Sequence, residues 1–212
     1  EYIMAVIPNI LTFLRILYVP LFIFFLFQDE IIRHVFISKA LAFLIFVLAA
    51  LSDFFDGYFA RKYNIVSKFG EFIDPLADKI LIISVFISFI FIPYINIPII
   101  LIIIIIIREI LITLLRIKAI SQKSVMKTSF WGKLKTVSQM AAIISILLAL
   151  SIHAYIIQYS HTAEIINSFS QLARIYKIFK VPYFLVLIMN WLPYILVYVS
   201  AFFTIYSGLS YI

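Results

Sequence analysis

Residues 99–107 read Ile-Ile-Leu-Ile-Ile-Ile-Ile-Ile-Ile, nine apolar side chains with no polar break. β-Branched residues ordinarily favour strands. In lipid, however, an open strand leaves backbone N–H and C=O groups unsatisfied, whereas a helix pairs them internally. The run therefore reads as part of a membrane helix over roughly 97–117. Five other stretches share its character, roughly 9–27, 36–61, 70–92, 132–157 and 183–209. Each approaches or exceeds the roughly 20 residues that a helix needs to cross about 30 Å of hydrocarbon. The expected fold is an all-α membrane protein with six transmembrane helices in one domain, residues 1–212.

Composition agrees, with 65% hydrophobic and only 13% charged residues, against about a quarter charged in soluble domains. Cysteine is absent, which excludes disulfides and thiolate metal sites. The net charge of +7 suits cytoplasmic loops and anionic headgroups. Without a long basic run, no nucleic-acid partner is expected. The first span lacks a basic leader and a small-residue cleavage site, so it reads as a retained helix rather than a signal peptide. Pro8 suits a helix start, and residues 8–15 are expected to form a short interfacial helix before the span proper.

Loop charges suggest an orientation. Arg61, Lys62, Lys68, Arg116, Lys118, Lys123, Lys127, Lys133 and Lys135 fall on one side, and Arg33, Lys39, Arg174, Lys177 and Lys180 on the other. The richer side is expected to be cytoplasmic. Segment 163–180 has helical spacing and is expected along the outer interface.

Four carboxylates interrupt this apolar chain: Asp53, Asp56, Asp74 and Asp78. The first pair is three residues apart and the second four, so each pair shares a helix face. Antiparallel folding about residues 62–69 would set position 53 opposite 78 and 57 opposite 74. A charge at the centre of a membrane helix costs roughly 2.5–3.5 kcal/mol on insertion scales, so four cost on the order of 10 kcal/mol. Arg61 and Lys79 offset only part of that. One or two divalent cations would supply the rest, and hard carboxylate oxygens suit Mg²⁺ or Mn²⁺. Gly57, Ala60 and Gly70 clear space beside the carboxylates, and Arg61 places a fixed charge at its mouth. Single elements of this pattern have blander uses as helix-packing faces or helix starts. A cation transporter would also use intramembrane carboxylates. It would not require the small residues and the arginine at these spacings.

The full pattern, D-x2-D-G-x2-A-R-x8-G-x3-D-x3-D, resembles the signature of the CDP-alcohol phosphotransferase family. It matches at Asp53, Asp56, Gly57, Ala60, Arg61, Gly70, Asp74 and Asp78. The resemblance implies a six-helix membrane enzyme that displaces CMP from a CDP-linked lipid or alcohol. It implies that the four aspartates hold the cations, that Asp78 is the general base, and that Gly57, Ala60, Arg61 and Ser67 border the CDP group.

Three further stretches are similar to bacterial phosphatidylglycerophosphate synthases. They are Pro8-Asn9-x2-Thr12-x2-Arg15, Arg108-Glu109-Ile110 with Arg116, and Gly132-Lys133-x-Lys135-Thr136-x2-Gln139-Met140. This implies CDP-diacylglycerol and glycerol 3-phosphate as substrates, with Asn9 and Thr12 on the CDP-lipid side. Glycerol 3-phosphate brings a dianion that needs cations of its own. Arg108, Arg116, Lys133 and Lys135 are the candidates, and Glu109 is a candidate partner for Arg108. A cardiolipin synthase or another acceptor is the alternative within the family. The expected setting is a bacterial inner membrane, among membrane lipids, with the active site facing the cytoplasm. A homodimer is compatible with such a bundle. Asp56→Asn is expected to abolish metal-dependent CMP release. Full turnover by that variant would remove the metal assignment.

Overall fold

A computed structural model describes residues 2–28, 35–63, 68–92, 95, 97–121, 130–160 and 183–209. Within the helices, the side chains of 2–12, 53–63, 68–75, 78, 116, 119–121, 156–157, 159–160, 183–190 and 209 lie outside the description. The described residues form six α-helices: α1 (Tyr2–Phe27), α2 (Val35–Tyr63), α3 (Lys68–Ile90), α4 (Ile99–Ser121), α5 (Phe130–Ser160) and α6 (Tyr183–Leu209). The expected all-helical membrane architecture is therefore present. Among the described residues, Val35–Ser52, Phe130–Tyr155 and Trp191–Gly208 are long and apolar enough to cross a membrane. Phe13–Phe27 and Lys79–Ile90 are shorter apolar stretches.

One expectation needs correction. Residues 8–15 do not form a separate interfacial helix, because α1 runs unbroken from Tyr2 through Pro8 to Phe27. Pro8 lies past the first turn and costs the helix one backbone hydrogen bond, yet the helix runs on through it. The interfacial segment expected at 163–180 lies outside the described residues.

The helices pack as a bundle in which α1 touches α2 and α3, α2 touches α5, α3 touches α4, and α6 touches both α4 and α5. Sequence order suggested α2 and α3 as direct neighbours. The stretches that would face each other, 53–63 and 68–75, have their side chains outside the description, and the described parts of α2 and α3 pack on α1 and on α5 or α4. Each helix presents one buried stripe at helical spacing. In α1 it is Arg15, Val19, Phe22 and Leu26, and in α4 Ile102, Ile105, Glu109 and Thr113. In α6 it is Val197, Ser200, Ala201, Thr204 and Ser207. Buried Ala42, Ala49, Ala142 and Ala201 let helices approach closely, as small residues do in membrane bundles. Large apolar side chains such as Leu44, Ile103, Leu148 and Phe202 face outward, as expected where lipid is the solvent.

Hydroxyl groups along these helices turn inward on their own backbone. Ser84 donates to the Ile80 carbonyl at 2.6 Å, and Thr204 to that of Ser200 at 2.6 Å. Such bonds satisfy a polar side chain where no water can. The helix ends are satisfied similarly. Buried Lys39, read from the sequence as an outer loop charge, instead donates its Nζ to the Leu26 carbonyl at the end of α1. A cation there complements the exposed carbonyls of the last turn. At the start of α2, the Phe36 N–H donates to Gln158 Oε1 of α5 at 3.2 Å.

The apolar core is centred on Phe22, Phe46, Phe86, Phe89, Ile102, Ile143 and Leu147. Phe22 and Phe46 join α1 to α2 with ring centroids 6.3 Å apart. Phe46→Ala is expected to destabilise the fold by about 3 kcal/mol, the lower end for a buried phenylalanine. Unfolding of the purified protein in detergent measures it.

Candidate functional site

Asp53 and Asp56 lie on the C-terminal half of α2, and Asp74 and Asp78 on the N-terminal half of α3. The backbone is helical through all four positions, so the i,i+3 and i,i+4 spacings do place each pair on one face. Gly57, Ala60 and Arg61 share α2, and Gly70 opens α3. Their side-chain surroundings lie outside the described residues, as do those of Asn9, Thr12 and Arg116, and Ser67 lies outside altogether. Among the described residues, no group of three or more metal-ligating side chains occurs. The aspartates, as an all-oxygen donor set on two helices, have the chemistry for a hard divalent cation.

One residue after Asp78, Lys79 belongs to a charged cluster. Its centre is Glu109 of α4, fully buried. Lys135 of α5, itself 3% exposed, pairs with Glu109 Oε1. Lys79 of α3 lies 3.5 Å from Oε2, and Arg108 Nη1 lies 3.7 Å from Oε1. Gln139 Nε2 donates to Oε1 at 3.1 Å and lies 3.4 Å from Thr204 Oγ1 of α6. Arg108 Nη2 donates to Ser207 Oγ at 2.8 Å. Gly208 lies beside the arginine stem, where an added Cβ would meet Arg108 Cγ at 3.6 Å. Four helices thus meet at one level through one carboxylate.

The electrostatics follow from burial. An isolated buried carboxylate is strongly disfavoured, and partners must compensate it. Among the described residues, three cations face this one carboxylate. Glu109 Oε2 and Gln139 Oε1 are buried without a hydrogen-bond partner among the described residues, although Lys79 faces the former. The contacts of Lys79 and Arg108 exceed the 2.7–2.9 Å usual for charge-assisted hydrogen bonds. The carboxylate therefore orients these two cations mainly by charge.

Of the four sequence-assigned acceptor cations, the structure brings Arg108 and Lys135 together. It does not bring Lys133, which is exposed. Two residues along a helix is a rotation of about 200°, so Lys133 and Lys135 point to opposite sides of α5. Lys79 was credited only to the aspartates, yet it reaches Glu109. Its adjacency to Asp78 was the available signal. Gln139, four residues after Lys135, shares that residue's face. Nearby, Trp131 packs against Tyr206 of α6 with ring centroids 4.5 Å apart, joining α5 to α6 beside the cluster.

A polytopic helical bundle with paired helix-borne aspartates beside a buried cationic cluster has the make-up of a membrane enzyme acting on anionic substrates. The family described as CDP-alcohol phosphatidyltransferase matches residues 5–206, and the chain belongs to it. Curated relatives agree. A CDP-diacylglycerol–glycerol-3-phosphate 3-phosphatidyltransferase of Blochmanniella floridana is 35% identical over 147 residues, 68% of this chain and 75% of that protein. The protein of that name from Haemophilus influenzae is 30% identical over 139 residues, 65% of this chain and 72% of the other. The one from Rickettsia typhi is 45% identical over 75 residues, 35% of this chain, and the match spans only 39% of the relative's length.

The cluster makes a stability contrast testable. Lys135→Ala leaves Glu109 short of its nearest cation and is expected to destabilise by about 3 kcal/mol. Lys133→Ala, on the exposed side, is expected to stay within about 0.5 kcal/mol. Chemical unfolding of both variants in detergent measures the difference.

Proposed function

We propose that this protein transfers the phosphatidyl group of CDP-diacylglycerol to the C1 hydroxyl of glycerol 3-phosphate. The products are phosphatidylglycerophosphate and CMP. The observation that carries the choice of acceptor is the gathering of Lys79, Arg108 and Lys135 at Glu109, with Lys79 one residue from the aspartate motif. A phosphate monoester is a dianion near neutral pH, and this cluster complements it. The names of the relatives support the same acceptor.

In this scheme Asp53, Asp56, Asp74 and Asp78 hold one or two divalent cations, Mg²⁺ or Mn²⁺. When bound, these supply charge neutralisation on the pyrophosphate. Gly57, Ala60, Arg61, Ser67 and Gly70, with Asn9 and Thr12, border the CDP-lipid. Arg108 and Lys135, with Arg116, hold the acceptor phosphate. Asp78 takes the proton of the acceptor hydroxyl as its oxygen attacks the lipid-side phosphorus. The bond from that phosphorus to the CMP oxygen breaks, and CMP leaves with the electron pair. A carboxylate is a weak base, so proton transfer comes late, as the attacking oxygen becomes acidic. The acyl chains remain in lipid, and the site opens to the cytoplasm of a bacterial inner membrane.

A panel of acceptors offered to the purified protein with labelled CDP-diacylglycerol tests this. Glycerol 3-phosphate is expected to be used, and phosphatidylglycerol, serine and inositol phosphate are not. Arg108→Ala is expected to raise KM for glycerol 3-phosphate about 10–100-fold, the value of a hydrogen bond to a charged group. Preferred use of phosphatidylglycerol would instead make the protein a cardiolipin synthase.

A further inference from the structure

Glu109 is a negative charge at the centre of a site that must attract a dianion. By charge alone, an acceptor-phosphate site would be stronger without it. Its burial and its contacts assign it another task. Its two carboxylate oxygens face cations from three consecutive helices: Lys79 of α3, Arg108 of its own helix α4, and Lys135 of α5. Gln139 fixes the carboxylate from one side and is itself seated near Thr204 of α6. Without the carboxylate, three like charges would repel across this gap, and each long side chain would turn toward water. Lys79 matters most, because it follows Asp78 directly on α3. Whatever holds Lys79 toward α4 also sets how the aspartate helix faces the acceptor cations.

We propose that Glu109 is a positioning residue for the acceptor: it gathers Lys79, Arg108 and Lys135 into one cradle and makes Lys79 a third phosphate-binding cation. This rests on the assignment of the cluster as the acceptor-phosphate site. Glu109 touches no substrate. It acts through the cations, and mainly through Lys79, whose ammonium lies 3.5 Å from the carboxylate.

The test is a double-mutant cycle on the purified full chain, with Glu109→Gln, Lys79→Met and the pair. Inorganic phosphate serves as a competitive probe of the acceptor site. The wild type comes first. It is expected to saturate with glycerol 3-phosphate and to be inhibited competitively by phosphate. Failure of either overturns the assignment of the site, and this proposal with it. Given a normal wild type, Lys79→Met is expected to raise KM for glycerol 3-phosphate and the phosphate inhibition constant about tenfold. Glu109→Gln is expected to raise both by about 30-fold, and KM for CDP-diacylglycerol is expected to change less than about twofold. In the Glu109→Gln background, Lys79→Met should add almost nothing, since its anchor is already gone. Additive effects would overturn the proposal, as would a Glu109→Gln variant with lowered thermal stability and an unchanged KM for glycerol 3-phosphate. Should Glu109→Gln not fold, Glu109→Asp replaces it. That variant keeps the charge and withdraws the carboxylate by one methylene. It is expected to raise KM for glycerol 3-phosphate about tenfold, and a wild-type value would overturn the proposal.

Discussion

Among the described residues, the bundle is organised around one buried carboxylate. Glu109 is fully enclosed, and it is tolerated there only because Lys79, Arg108 and Lys135 converge on it. These residues arrive from α3, α4 and α5, and Gln139 extends the network toward α6 through Thr204. Apolar packing in lipid gives helices little preference for one rotation over another, because the tails are as apolar as the side chains. A charged network with defined partners does give that preference. It sets which face of α4 turns inward, and it aligns the N-terminal part of α5 with the C-terminal part of α6.

That alignment explains why chemistry can sit at this level of the bundle. The aspartate motif lies on α2 and α3, and the cationic cluster begins at the very next residue after Asp78. In the proposed scheme, the site for the electron-poor phosphorus and the site for the anionic acceptor share one helix. Ser207 and Gly208 border Arg108, the serine by accepting a hydrogen bond and the glycine by lying beside the arginine stem.

The charged residues show how far sequence reasoning reaches. Arg108 at the end of an isoleucine run was anomalous enough to demand a partner, and Glu109 and Ser207 are such partners. Lys133 and Lys135 were indistinguishable by composition and position, yet one is exposed and the other buried. A difference of two residues on a helix decides that, once the orientation of α5 is known. Lys39 counted as an outer loop charge, but its ammonium caps the end of α1. Pro8 suited a helix start, but α1 begins earlier, at Tyr2, and runs through it.

The sequence by itself determined that the chain is a bundle of membrane helices, because only helices satisfy a backbone inside lipid. It also determined the family, since eight residues at fixed spacing across α2 and α3 carry the motif. It could not determine which side of an all-apolar helix faces inward. In residues 99–107 every side chain is apolar, so periodicity carries no signal there. Only the tertiary structure decided that Ile102, Ile105 and Glu109 face the core together. The physical reason is that a buried charge must meet its counterions, and two of these, Lys79 and Lys135, lie on other helices, far away along the chain.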